Sequence, residues 1–392
     1  MSAMPLRLVQ PVAPALSPHV PVLLDTFDFG APRPALSFGN GWGPPEPGGI
    51  RWCLGQRSDL TVNVAVGWKL PEGARVLAIL QAAPYLAENP QAVQRLSVSL
   101  NGTTVYETAR SGIGLVAFFV SPEMLDLPLA IGFEHPDALS PAAFGLFDDK
   151  RQLAFGCHRL EFWMIPPHGP SAQPVVENAT PPGELMAAFE SLGDNCEFGI
   201  AQRLSGCEPL GLLRFTATRF ESLVDLLLHR CQGVGDPANI ELDLRGTPAE
   251  YILTELRYRL TYHTFIYADQ MPQARVKHRE SQKLTLLARR MVEDLQSARR
   301  IYVVKRNEPL PEADVIALSL LLRTFGPNRL LYVSLADAAN PAGSVRRVTD
   351  ALAYGYIDAL APYDDAAQIA LDAWVSICRA ASALFGQDGA EC

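Results

Sequence analysis

The stretch Ser191-Leu-Gly-Asp-Asn-Cys-Glu-Phe-Gly199 sets one cysteine in a small-polar turn, directly ahead of apolar residues at Phe198, Ile200 and Leu204. That spacing predicts a helix, and a helix N-terminus carries about half a positive charge together with unpaired N–H donors. A thiol in its first turn ionises more easily than a free one, which makes Cys196 a candidate nucleophile. Gly193 permits a tight turn, and Asp194 or Asn195 can cap the helix. A second role is open to Asn195, as an amide donor to an oxyanion beside the backbone N–H of Cys196. An ordinary half-buried cysteine next to a cap satisfies the same local pattern.

Other polar residues carry weaker signals. Arg214 and Arg219 bracket Phe215, and could grip a substrate carboxylate or phosphate or pair internally with Glu221 or Asp225. No Asp-x-Asp metal pair or Gly-rich phosphate loop accompanies them, so a nucleotide-sugar enzyme has no signature. Seven cysteines, odd in number and without a CxxC pair, suit neither a disulfide framework nor a zinc site. No metal and no cofactor is expected. The formal net charge is −9 and no window forms a basic stripe, so nucleic acid is not an expected partner. The opening Met1-Ser-Ala-Met-Pro-Leu-Arg-Leu leads into prolines at 11, 14 and 18 rather than an apolar leader core, and no apolar run reaches about 18 residues. The expectation is a cytoplasmic protein without direct membrane insertion, its oligomeric state left open.

The elements that position these residues fall into two groups, as a length of 392 residues suggests. Residues 1–20 read as a flexible Pro-rich arm. Over 21–165 the period is two: Leu60, Val62, Val64 and Val66 alternate with smaller or polar residues, as do Leu96, Val98 and Leu100. Asn101-Gly102 then supplies a hairpin turn into Thr104-Val105-Tyr106. Further strands at 76–81, 116–120, 129–133 and 159–164 complete the pattern of an antiparallel β-sandwich. Residues 166–182 are Pro-rich and read as a linker. The remainder, 183–392, becomes helical and α/β, with helices expected at 184–190, 196–204, 222–231, 280–297, 312–325 and 372–384. Strands at 301–304 and 330–334 are apolar but for the terminal Ser334, as central parallel strands are. The expected fold class is two-domain, a β-sandwich followed by an α/β domain.

The α/β half resembles a bacterial family described as papain-like cysteine peptidases, a domain of unknown function that accompanies polysaccharide-related modules. The resemblance spans about residues 188–380. It is carried by Glu190-Ser-Leu-Gly-Asp-Asn-Cys-Glu-Phe-Gly199, which matches the family's Ser-Leu-Gly-x-Asn-Cys opening, by Gly211-Leu-Leu-Arg-Phe215, and by Tyr262-His-Thr-Phe265. Carried over residue by residue, it implies Cys196 as nucleophile and His263 as its base. A thiolate formed by proton transfer to imidazole attacks a carbonyl, and the imidazolium then protonates the leaving group. Family members commonly carry an acid directly after the histidine, where this chain has Thr264. Asp269, Asn307 and Asp337 are the residues open to orient the ring instead.

The first half resembles jelly-roll-like β-sandwich modules found beside bacterial glycosyltransferases, through Phe38-Gly-Asn-Gly-Trp42, Pro45-Glu-Pro47, Arg51-Trp52 and the Val98-Ser-Leu-Asn-Gly102 hairpin. Trp42 and Trp52 either stack on sugar rings or plug the sandwich core. Two functions follow. One is a cysteine-dependent hydrolase or acyl transferase linked to bacterial polysaccharide or envelope biology, with Cys196, His263 and Asn195 catalytic and Arg214, Trp42 and Trp52 on substrate. The other is a non-catalytic scaffold of exopolysaccharide assembly that binds a glycan or a protein partner and carries a degenerate catalytic domain.

Overall fold

The computed structural model describes residues 19–386 other than 32, 64–67, 69, 90–91, 126–127, 168–170, 173–179, 364 and 367. Residues 1–18 of the expected arm, Val64 and Val66 of one expected strand, and 168–170 and 173–179 of the expected linker lie outside the described residues.

The first part runs β1 (Val22–Asp28), β2 (Leu36–Phe38), β3 (Trp42–Glu46), β4 (Ile50–Leu54), β5 (Arg57–Val62), β6 (Arg75–Pro84), β7 (Gln94–Leu100), β8 (Thr103–Arg110), β9 (Gly114–Val120), β10 (Leu129–Glu134) and β11 (Leu153–Ile165). One sheet has the order β3-β4-β11-β6-β9 with β1 also on β11; the other has the order β2-β5-β10-β7-β8. Every pairing is antiparallel. Phe27, Val76, Ala78, Leu80, Phe118 and Phe162 of the first sheet meet Leu60, Val62, Leu96, Val98, Leu100 and Phe133 of the second in one core, which makes this part a β-sandwich. The turn from β7 to β8 has φ of 47° at Asn101 and 88° at Gly102, the left-handed pair that an Asn-Gly hairpin uses.

Strand β6 breaks the alternation, because Val76-Leu-Ala-Ile-Leu80 is apolar at every position, the pattern of a strand covered on both faces. Val76, Ala78 and Leu80 enter the sandwich core, while Leu77 and Ile79, with Ala117 and Ile165, pack into the core of the second part.

That second part contains β12 (Ser171–Ala172), α1 (Pro182–Ala187), β13 (Phe189–Ser191), α2 (Glu197–Leu204), β14 (Thr216–Ala217), α3 (Phe220–Leu228), β15 (Ile240–Arg245), β16 (Glu250–Glu255), β17 (Leu260–Tyr267), α4 (Gln273–Ser297), β18 (Ile301–Lys305), α5 (Glu312–Arg323), β19 (Arg329–Leu335), β20 (Val345–Arg347), β21 (Leu352–Ile357) and α6 (Leu371–Gly386). A mixed sheet has the order β12-β20-β21-β19-β18-β13, and its β13, β18, β19 and β21 are parallel. Both faces are covered. Tyr302, Val304, Leu330 and Tyr332 share a core with α3, α4 and α5; Ile301, Val303, Leu331 and Val333 share another with α1, α2 and α6. A separate antiparallel sheet, β14-β17-β16-β15, was not expected from the sequence pattern.

One expectation is corrected at the entrance to this part. The helix expected over 184–190 ends at Ala187, and Phe189, Glu190 and Ser191 pair in parallel with Ile301, Tyr302 and Val303. An open edge on β18 outweighs the local helical spacing. The consequence for function is that the Ser191–Gly199 turn leaves the carboxyl end of a parallel strand, beside the carboxyl end of β18, the edge at which open α/β sheets place their ligands.

Candidate functional site

Gly193 and Asp194 both adopt left-handed backbone, with φ of 90° and 95°. A side chain at Gly193 would begin 2.8 Å from the hydroxyl of Thr218. This kink turns Asp194 under the sheet edge, where Lys305 at the end of β18 reaches it. The Lys305 ammonium lies 3.1 Å from Asp194 Oδ2 and 2.9 Å from Glu197 Oε2, and it donates to Asn307 Oδ1 at 2.6 Å. Arg306 Nη1 holds the other Asp194 oxygen at 3.1 Å, and Tyr363 donates to that oxygen at 3.0 Å. Trp374 of α6 donates to Glu197 Oε1 at 3.0 Å. With side chains of Lys305, Asp194 and Glu197 no more than 2% exposed, the motif is anchored by a buried ion network.

Cys196 occupies the N-cap position of α2 rather than its first turn. Asn195 Oδ1 accepts from the Glu197 N–H at 3.0 Å, closing a turn one residue ahead of the N-cap, and Asn195 Nδ2 is buried without a partner among the described residues. The expected ease of ionisation is not found at Cys196. Burial pushes its thiol above the ordinary range, and the positive charge of Arg203 counteracts this only in part. The thiol makes no hydrogen bond among the described residues.

His263 sits on β17 with its ring 56% exposed, stacked on Phe265 and with Nδ1 3.2 Å from Glu250 Oε2. The structure forms no hydrogen bond between this ring and Cys196, so the pair implied by resemblance is not assembled. An acid does face the imidazole, and it is Glu250 on β16, brought there by the β16–β17 pairing. Thr264 spends its hydroxyl on the Tyr251 carbonyl at 2.6 Å. Of the residues open to orient the ring, Asn307 is bound to Lys305 and the Ala361 carbonyl, and Asp337 caps its own turn at Ala339 and Asn340. Sequence reasoning missed Glu250 because its proximity depends on a strand register with no local signal. It also missed Lys305, Arg306 and Tyr363, which are far from the motif in sequence.

Arg214 is corrected from a substrate ligand to a structural bracket. It is 5% exposed, and Nε donates to Gln202, Nη1 to Glu208 and the Pro209 carbonyl, and Nη2 to the Gly199 and Cys207 carbonyls. All five donors are engaged. Trp42 is corrected from a sugar platform to a core residue: its ring packs on Phe29, Phe38 and Phe133 at centroid distances of 5.3–5.8 Å, and its N–H donates to the Asp59 carbonyl.

Trp52 is placed differently. Its neighbour Cys53 points into the sandwich, so Trp52 lies on the outer face of the sheet. The six-membered ring lies over Gly156, where an added Cβ would come within 3.2 Å of it. Tyr85 meets the ring edge to face at 5.9 Å, and the indole N–H donates to Glu46 at 3.0 Å. Arg151 joins this group, 2.7 Å from Glu46 and 2.6 Å from Asp149.

No family model matches the chain, and no curated protein matches it. Among solved structures, the chain is similar to the CBM36-1 domain of a multidomain xylanase from the hindgut metagenome of Trinervitermes trinervoides, with 10% identity and a TM-score of 0.22 over 35% of this chain and 94% of that one. It is also similar to the CBM22-1 xylan-binding domain from Paenibacillus barcinonensis, with 14% identity and a TM-score of 0.26 over 38% and 99%. A third likeness is to the Agl-KA catalytic domain, with 12% identity and a TM-score of 0.23 over 45% and 31%. The β-sandwich stands on the chain's own strand pairing and shared core. Among the described residues, no three His, Cys, Asp or Glu side chains gather as a metal site would require, and no helix is long and apolar enough to cross a membrane.

Proposed function

We propose that the protein binds carbohydrate through the outer face of its sandwich, with Trp52 as the stacking platform and Glu46, Asp149 and Arg151 bonding sugar hydroxyls beside it. The setting of Trp52 carries this reading. Its indole rests on a glycine, is held at one edge by Tyr85 and at its N–H by Glu46, and retains part of its surface open. An aromatic ring already held in place loses little freedom when the apolar face of a pyranose stacks on it. Affinity electrophoresis against a panel of neutral and acidic bacterial polysaccharides tests the proposal. At least one polysaccharide should retard the wild-type protein, and Trp52→Ala should weaken that binding about ten-fold. Retardation by none of them, or equal retardation of the variant, would remove the reading.

One observation favours a second reading, the cysteine-dependent hydrolase or acyl transferase. Asp194, Asn195 and Glu197 are tied into hydrogen bonds or ion pairs, whereas the part-open Cys196 thiol among them is not. Iodoacetamide labelling near neutral pH tests it. Cys207 is also part-open with its thiol pushed up by burial, so it is the internal reference. Selective labelling of Cys196 that collapses in His263→Ala would support the hydrolase reading, and labelling of Cys196 no faster than Cys207 would remove it.

A further inference from the structure

Where the sandwich meets α3 and α5, a cavity of about 480 Å³ lies between the outer face of β6, β9 and β11 and the carboxyl ends of the two helices. Small-molecule sites have volumes of about 300–1,000 Å³ and favour such junctions. The floor is apolar, because Ile79, Leu227, Leu320 and Leu321 are buried there. Around it Leu115, Trp163, Leu228 and Phe325 stay only partly buried, although each packs against the same core. Four large apolar side chains thus converge on one opening with surface uncovered. An apolar body that enters the cavity takes that surface out of water.

The charges of the lining are matched except at one residue. Arg159 lies 3.0 Å from Asp28 and 3.5 Å from Glu161, and Arg323 lies 2.8 Å from Asp350. Glu161, the one acid among the described lining residues, also accepts from the Trp163 N–H at 2.9 Å. Arg230 is different. The chain leaves α3 through left-handed backbone, with φ of 51° at Arg230, and the guanidinium comes to lie 4.6 Å from the centroid of the Phe325 ring. No carboxylate pairs with it among the described residues, so a cation rests on the apolar wall with donors to give. The carboxyl ends of α3 and α5 carry partial negative charge nearby, which Arg230 and Arg323 offset.

From this juxtaposition of an apolar cavity and one unmatched arginine on its wall, we propose that the junction binds a small amphiphile, a monocarboxylate with an apolar tail. The tail covers Leu115, Trp163, Leu228 and Phe325, and the carboxylate accepts from Arg230, whose planar fork suits two parallel bonds. The cavity shares no lining residue with the Trp52 group and does not depend on the carbohydrate reading.

Octanoate and 1-octanol, alike in tail and different in charge, are the probes, titrated calorimetrically into the full-length protein near neutral pH at constant ionic strength. Trp163 fluorescence supplies the local signal. Octanoate should bind saturably and change the emission, and Trp163→Phe should remove that change. Arg230→Gln, an exposed substitution compatible with folding, should weaken octanoate about five-fold and leave 1-octanol unchanged. Leu228→Phe, at a half-buried position, should weaken both probes by filling part of the cavity, and an unchanged thermal midpoint separates this from unfolding. The proposal is overturned if octanoate shows no saturable binding or if its emission change persists in Trp163→Phe. It is equally overturned if Arg230→Gln binds octanoate as the wild type does or weakens both probes alike, or if Leu228→Phe binds both as the wild type does.

Discussion

Lys305 shows how far the cysteine motif is also an electrostatic motif. Its ammonium is held between two carboxylates of the turn, and both lie in a water-poor interior. Removing one partner from such a group leaves an uncompensated buried charge, a loss of about 3–5 kcal/mol. Lys305→Met should therefore reduce the unfolding free energy by about that amount in urea denaturation. A loss below about 1 kcal/mol, the range of an exposed ion pair, would show that the acids find water instead. The same environment decides Cys196. A helix terminus is worth about 0.3–1 kcal/mol to a nearby anion. Desolvation of a half-buried thiolate acts against it and wins, so the thiol pKa rises. The residue types in the turn were readable as chemistry; the sign of the shift was not, because it depends on how deeply β13 and α2 bury the loop.

At the scale of elements, legibility follows locality. The β7–β8 hairpin was readable because Asn101-Gly102 specifies its turn and Leu96, Val98 and Leu100 specify its inner face. Strands β18 and β19 were readable from the apolar runs 301–304 and 330–333. Strand β13 was not, since three residues acquire strand geometry only by pairing with Ile301–Val303. The β15–β16–β17 sheet was missed as well, and with it the approach of Glu250 to His263. The turn between β13 and α2 makes a test at this scale. Gly193 combines a φ of 90° with a wall at Thr218, so Gly193→Ala suffers backbone strain and a close contact together. Strain alone is worth about 1–3 kcal/mol, and thermal unfolding of the variant should show at least that loss. Unchanged stability would mean that the loop relaxes to another conformation without disturbing the network.

At the scale of the whole molecule, the sandwich is a wall of the second part's core. The Arg75 guanidinium holds both oxygens of Glu312 at 2.7 and 3.0 Å, and Tyr106 donates to Asp314 at 3.2 Å while accepting from Arg110 at 2.7 Å. Asp314 is buried in this junction, and its carboxyl is pushed up to about 6 because burial outweighs the favourable Arg110 charge and Tyr106 hydrogen bond. The folded protein therefore keeps a proton at Asp314 that the unfolded chain has released once pH exceeds the ordinary value of 3.8. Its contribution to stability is fully present below 3.8 and is lost as pH rises through about 6. Asp314→Asn retains an acceptor for Tyr106 and cannot ionise. Its stability relative to wild type should increase between about pH 4 and pH 6.5, by up to about 3 kcal/mol, and stay level above that. Glu190, pushed up to about 7 by burial, titrates in an overlapping window in both proteins and cancels from the difference. Urea denaturation at a series of pH values reads the comparison directly. A difference independent of pH would mean that Asp314 ionises as it does in the unfolded chain, and that the junction between sandwich and helices is open to water.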